Sequence, residues 1–199
     1  MKQKLLAYAL ASGVFALSST VASAAPTLYG LGRTTSVQLS NELVGALTQL
    51  NVTPTPLPPG VLREGVAVFP ITSGQIDLAN AKGEVIHSGG LTLTAGTTVV
   101  DLSQFIIDTT QSSGPVLTGL VKANGSVVGR IPLFTITLPS LTLPLSVKRT
   151  LTIPSAALIL TDQAAEALNG AFNVTAFTAG IPVGTAKVVL NKAIFKKSQ

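Results

Sequence analysis

Short apolar segments of strand length recur along the middle of the chain, and they restrict its fold more than any other feature. Between Gly65 and Ile153 they return about every 8 to 12 residues with Gly-rich turns between them, a spacing typical of antiparallel sheets. The pair Asn124-Gly125 is a strong hairpin signal, because both residues accept the positive φ angles of a tight turn. The sequence therefore predicts a mainly β, antiparallel sandwich-like domain of two packed sheets.

Two short helices are predicted at the periphery of these sheets. Residues 40–50 carry leucines at helical spacing and begin with Ser40, a good N-cap. Residues 162–170 carry a second apolar stripe, for which Thr161 or Asp162 is the N-cap. Both helices are too short to form cores of their own, so we expect them to lie against the edges or ends of the sheets.

The remaining segments complete one domain over residues 25–191. Residues 54–60 are rich in proline, which forbids helix, and are predicted to form an extended connector. Strands follow over residues 65–153, and a closing strand is predicted over residues 182–190.

The first 24 residues have the pattern of a cleavable signal peptide. Lys2 and Lys4 precede an apolar stretch, and small residues at 22 and 24 suit a cleavage site. The compact, Lys-led pattern is typical of bacteria, and it predicts export to the periplasm, the cell surface or the medium. No later apolar run is uninterrupted, so no transmembrane anchor is expected after cleavage.

Charge is sparse, at 11% of residues against 46% hydrophobic. Beyond residue 24 the chain carries 11 basic and 8 acidic residues, and three of the bases lie in the tail over residues 192–199. The body is therefore neutral, without the basic face that binding to nucleic acid requires. The tail is interpreted either as a solvated terminus or as a contact for anionic lipid or polymer.

The inventory of reactive side chains is small. The chain has no cysteine and one histidine, His87, which excludes cysteine nucleophiles and cysteine-based metal sites. A serine hydrolase would have to use His87 with Ser88 and an acid such as Asp101 or Asp108, but no G-x-S-x-G turn is present. Asp101 and Asp108 by themselves are interpreted as marking strand ends. No catalytic residue, no metal site and no enzymatic activity are predicted.

A set of short motifs spans residues 65–190 in a recognisable order. They are Phe69-Pro70-Ile71-Thr72-Ser73-Gly74, residues 83–91 (GEVIHSGGL), Leu117-Thr118-Gly119, residues 160–168 and Ala179-Gly180. In order and spacing they resemble the HtaA-type domain of bacterial envelope proteins, a β-rich module with peripheral helices known for haem uptake.

The resemblance implies two candidate haem-binding residues. In that family an opening Trp-Gly segment with a Ser-Phe-Arg-x-Tyr run supplies a tyrosine that ligates haem iron. This chain has Tyr29-Gly30 and lacks that run. Tyr29 is the one tyrosine beyond the signal segment, and His87 lies near the Ser-Gly turn of the pattern. If haem binds, Tyr29 and His87 are the residues that the resemblance offers for it; otherwise no cofactor is expected.

The sequence as a whole predicts an exported, non-enzymatic binding or structural module of the bacterial cell envelope. Its partner is expected to be an envelope protein, a polysaccharide or a small apolar ligand. The first alternative is an HtaA-like haem-binding domain and the second a hydrolase that uses His87. Ligand binding predicts an apolar pocket near Tyr29 or His87, a structural role predicts no pocket, and catalysis predicts polar groups converging on His87.

Overall fold

A computed structural model describes residues 26–193 of the chain. The predicted signal peptide, residues 1–24, lies outside the described residues, as does the basic tail beyond residue 193.

The described residues form eleven strands and two helices. In chain order the elements are β1 Thr27–Leu39, α1 Asn41–Gln49, β2 Thr53–Leu57, β3 Val61–Arg63, β4 Val66–Asp77, β5 Gly83–His87, β6 Gly90–Ala95, β7 Thr98–Asp108, β8 Val116–Ala123, β9 Ser126–Thr137, β10 Thr150–Leu160, α2 Asp162–Phe172 and β11 Pro182–Lys192.

Eight of the strands close into an antiparallel barrel. Their order is β7-β5-β4-β1-β11-β10-β9-β8, and β8 pairs again with β7. The mainly β, antiparallel prediction is confirmed, but the two-sheet sandwich is wrong. The physical reason is that β7 has partners on both of its sides, so the twisted sheet meets itself and leaves no second layer to pack against.

The predicted hairpin at Asn124-Gly125 is confirmed. The two residues have φ angles of 49° and 81°, and the strands they join pair directly from Ala123 and Ser126 onward.

The Pro-rich segment is not only a connector, because Thr53–Leu57 pairs with β6 as strand β2. Proline has no N–H to donate, so Pro54 and Pro56 occupy positions whose amide would point away from β6. Their carbonyls face the outer edge of β2, and β3 pairs with β4 rather than with β2. β2 and β6 form a two-stranded ribbon beside β7, here called the β2–β6 ribbon, and β2 is the last strand of the sheet on that side.

Two segments that contain glycine or proline lie within the sheet. Residues 27–36, which include Gly30 and Gly32, belong to β1 between β4 and β11. Pro154 belongs to the interior strand β10, which follows a loop over residues 138–149. Pro154 is accommodated there because the pairing of β10 with β11 shifts register between Ile153 and Ala156.

Both predicted helices are present and capped as expected. The Oγ of Ser40 accepts from the Leu43 amide (3.0 Å), and the Oγ1 of Thr161 accepts from the Ala164 amide (3.1 Å). The Thr161 hydroxyl also donates to the Pro132 carbonyl (2.7 Å), which holds α2 against β9. Within residues 26–193, neither helix has the length and apolarity needed to cross a bilayer.

Candidate functional site

Small side chains form one level of the barrel interior. Ala67 of β4 pairs with Val37 of β1, Val37 pairs with Ala186 of β11, and Ala186 pairs with Ala156 of β10. All four are buried, and all four face inward. We call them the alanine row. A barrel of eight strands is ordinarily filled by its own side chains, and three alanines and a valine in four neighbouring strands leave part of this one unfilled.

The space beside the alanine row is an apolar cavity of about 120 Å³. Leu138, Leu141 and Leu145 of the 138–149 loop line one end of it. Leu43 and Leu47 of α1 line another part, together with apolar residues of the β2–β6 ribbon. The cavity thus runs between the loop that covers one end of the barrel and the helix that covers the other.

The cavity is costly for a protein that would leave it empty. At about 24 cal/mol per Å³, an unfilled space of this size lowers the free energy of unfolding by about 3 kcal/mol. Net stabilities are only about 5–15 kcal/mol. An engineered cavity of about 150 Å³ stays dry and binds benzene or xenon, so this space is of a size to hold a small apolar molecule.

His87 is the ionisable residue among those that line the cavity. It is 4% exposed, and its Nδ1 lies 3.1 Å from the Phe105 carbonyl oxygen. A carbonyl only accepts, so Nδ1 carries the proton and Nε2 accepts from the hydroxyl of Thr35 at 2.7 Å. Burial lowers the pKa of His87 to about 4, outweighing the hydrogen bonds that favour the charged ring. The imidazole is therefore neutral at pH 7, with both nitrogens already bonded.

The other polar side chains along the cavity are also occupied. The Thr109 hydroxyl bonds to the backbone at Ala81 and Gly83. Thr35 donates its one hydroxyl proton to His87. The lining therefore presents almost no free donors, which favours a ligand without polar groups that need partners.

The structure places Tyr29 and His87 on different faces of the barrel. Tyr29 is 48% exposed, between the inward-facing Leu28 and Gly30 of β1. It pairs with Gln75 of β4, whereas His87 pairs with Ile71. Along β4, Gln75 and Ile71 are four residues apart, a distance of about 13 Å. One side chain points outward and the other into the cavity, so the fold does not bring the two candidate ligands together.

The surroundings of His87 do not form a hydrolase site. Its ring bonds a main-chain carbonyl and a threonine, where a triad needs a carboxylate and a nucleophile. Asp101, in the middle of β7, accepts from Thr92, and Asp108, at its end, accepts from Thr110 and Gln111. Across residues 26–193, no three His, Cys, Asp or Glu side chains are grouped as a metal site would require.

Sequence reasoning reached His87 but missed the alanine row and the leucines of the 138–149 loop. Each alanine stands in an apolar strand, and nothing local distinguishes it from any other small core residue. The signal lies in the pairing of Ala67, Val37, Ala186 and Ala156, which are far apart in the chain.

The fold and its interior define a closed antiparallel barrel, covered by peripheral helices, that encloses an apolar cavity. Solved structures share this architecture. The C-terminal domain of HtaA from Corynebacterium glutamicum superposes with a TM-score of 0.64 at 15% identity, over 83% of this chain and 99% of that chain. The heme binding protein HtaB from the same organism superposes with a TM-score of 0.53 at 12% identity, over 83% of this chain and 94% of that one.

A domain-swapped dimeric variant of the HtaA domain also matches, with a TM-score of 0.55 at 18% identity, over 77% of this chain and 89% of that one. Similarity at these identities shows the fold, and the HtaA-type resemblance seen in the motifs is confirmed at that level. No family sequence model matches the chain, and no curated protein matches it in sequence.

Proposed function

We propose that the protein is an exported, non-enzymatic binding module of the bacterial cell envelope whose barrel interior takes a small apolar ligand. The observation that carries this proposal is the cavity of about 120 Å³ beside the alanine row. The export signal predicted over residues 1–24 supports the envelope location. The name of HtaB, a heme binding protein with the same fold, supports a binding role.

The two ends of the barrel differ in how they are closed. At the α1 end, Ser40 donates to the Val183 carbonyl through its amide (3.0 Å) and to the Pro182 carbonyl through its hydroxyl (2.6 Å). The 138–149 loop lines the cavity with its leucines, and its backbone bonds the barrel where the Leu145 amide donates to the Leu78 carbonyl (2.7 Å) and the Lys192 amide donates to the Arg149 carbonyl (2.9 Å). The ligand therefore enters at the loop end, where the irregular chain can move without disrupting a helix or a strand.

The test is saturable binding of benzene or xenon to the chain from residue 25 onward, followed by shifts of the methyl NMR signals. Ala186→Leu places a larger side chain in the cavity and should abolish binding. Thr185→Leu places the same new side chain on the exposed face of the same strand and should leave binding unchanged. If the wild type shows no saturable binding, or if Ala186→Leu binds as well as the wild type, the interior is not a ligand site.

Haem is the second candidate ligand, favoured by the structural similarity to HtaB. Titration with haemin, followed at the Soret band in the wild type and in two variants, distinguishes binding at His87 from binding at Tyr29. Loss of a one-to-one shift in His87→Ala would place haem in the interior, which requires opening of the loop and release of the Thr35 hydrogen bond. Loss in Tyr29→Ala alone would place haem on the outer face. A shift that neither variant reduces would exclude both Tyr29 and His87 as residues that bind haem.

A further inference from the structure

Positive charge is segregated onto one side of the barrel. The outer surface of β1, β11 and β10, together with the 138–149 loop, is here called the basic face. It carries five exposed cations and no carboxylate among the described residues, whereas all eight acids of the chain lie on other elements. The cations are Arg33, Lys148, Arg149, Lys187 and Lys192.

Four of these cations gather where β11 ends and β10 begins. The Lys192 amide donates to the Arg149 carbonyl (2.9 Å), which places the two residues side by side, and Lys148 precedes Arg149. Arg33 donates through Nε to the Asn191 side chain (2.9 Å). Two further lysines, at 196 and 197, follow in the sequence.

The strands that flank the basic face do not neutralise it. On one side, β9 has no acidic residue. On the other, β4 carries Asp77, whose carboxylate accepts from the Ala79 amide and the Asn80 side chain of its own turn. The cations therefore face solvent as a group, and such a group favours an anionic partner.

Large apolar side chains are exposed on the same face. Leu31 is 54% exposed on β1, beside the exposed Tyr29. Leu143 is 48% exposed on the 138–149 loop, whose other leucines turn inward to the cavity. A soluble polyanion needs only the cations. Cations combined with exposed leucines and a tyrosine match a lipid surface, where the charges meet phosphate and the apolar groups enter the interface.

We propose that the basic face docks on an anionic phospholipid bilayer. Docking brings the loop-covered end of the barrel to the membrane surface. The basic face and its exposed leucines are sufficient for docking, whether or not the cavity takes a ligand.

The test is flotation of the chain from residue 25 onward with vesicles of phosphatidylcholine alone or mixed with phosphatidylglycerol. Binding is expected to the mixed vesicles only and should weaken as salt is raised. The double variant Lys148→Gln with Arg149→Gln should bind roughly 30-fold more weakly, since each surface cation contributes about a factor of five. Arg63→Gln with Lys122→Gln changes the charge equally, away from the basic face, and should bind as the wild type does.

A second pair of variants tests the apolar contribution at constant charge. Leu31→Ser with Leu143→Ser should weaken binding to the mixed vesicles several-fold. Val127→Ser with Val128→Ser, which alters two exposed valines beside the β8–β9 hairpin, should not. Far-UV circular dichroism and melting temperatures show whether each variant folds.

Three outcomes would overturn the proposal. One is the absence of binding to the mixed vesicles at low salt. Another is an equal loss of binding in the Arg63 and Lys122 control. The third is binding to dextran sulfate, a soluble polyanion, together with vesicle binding that does not depend on Leu31 and Leu143, which would identify a polymer site instead.

Discussion

The side chain of His87 points into the barrel, although its neighbour Ile86 is the more hydrophobic of the two. Alternation along β5 turns Val85 and His87 inward and leaves Ile86 37% exposed. The ring is tolerated there because Phe105 and Thr35 satisfy both of its nitrogens. The same burial makes the protonated ring unfavourable in the folded state.

The pKa of His87 predicts a specific loss of stability in mild acid. The unfolded value is 6.5 and the folded value about 4, so between them the unfolded chain binds more protons. The free energy of unfolding should therefore fall by about 3 kcal/mol as pH drops from 6.5 towards 4, and be fully restored above 6.5. Urea titrations across this range measure the slope.

His87→Gln is the matched variant for that experiment, because an amide can keep hydrogen bonds to Phe105 and Thr35 but does not titrate here. Its slope between pH 6.5 and 4 should nearly vanish; a slope equal to that of the wild type would assign the effect elsewhere. Asp108 affects only the acid end of this window. Burial raises its pKa, but hydrogen bonds from Gln111 and Thr110 lower it further, so its contribution begins to be lost as pH falls through the usual carboxyl range and is fully lost only below it.

At the scale of elements, the junction of β5 and β6 depends on close backbone contact. Gly60, in the turn after β2, packs against Gly89 and Gly90 at this junction. A Cβ on Gly90 would lie 2.1 Å from the Leu102 carbonyl oxygen of β7, and one on Gly89 would lie 2.3 Å from the Gly60 amide nitrogen. These are main-chain atoms, so no side-chain rotation can relieve the contact.

Gly90→Ala should therefore lower the free energy of unfolding by about 3 kcal/mol, by forcing β6 away from β7. Gly96→Ala is the matched control, because nothing lies within 4 Å of its Cβ and only its φ of +56° is unfavourable. That control should cost about 1 kcal/mol. Equal midpoints in chemical denaturation would show that the junction can move apart without loss.

At the scale of the whole molecule, the cavity is space in the core that a larger side chain can fill. Ala186→Leu fills part of it and should raise the free energy of unfolding by about 1 kcal/mol, while Thr185→Leu should not. Pressure offers a second measurement, because unfolding eliminates internal voids and pressure favours the smaller volume. The pressure midpoint of Ala186→Leu should exceed that of the wild type. An unchanged midpoint would mean that the interior is already filled, by solvent or by other side chains.

Local signals in the sequence determined both helices and the β8–β9 hairpin of this protein. The cap at Ser40, the cap at Thr161 and the Asn124-Gly125 turn act within a few residues, so each could be predicted without knowledge of the rest of the chain. The order of short motifs, including residues 83–91, was enough to indicate the HtaA-type fold.

Only the tertiary structure decided that the sheet closes and what it encloses. Strand alternation has a period of two residues, which marks two faces but does not say which strands become neighbours or in what register. Closure depends on β7 pairing with β8 as well as with β5. The alanine row depends on three registers at once, and it joins residues from 37 to 186 in the chain. The candidate site is a product of those long-range pairings, so no local pattern could have contained it.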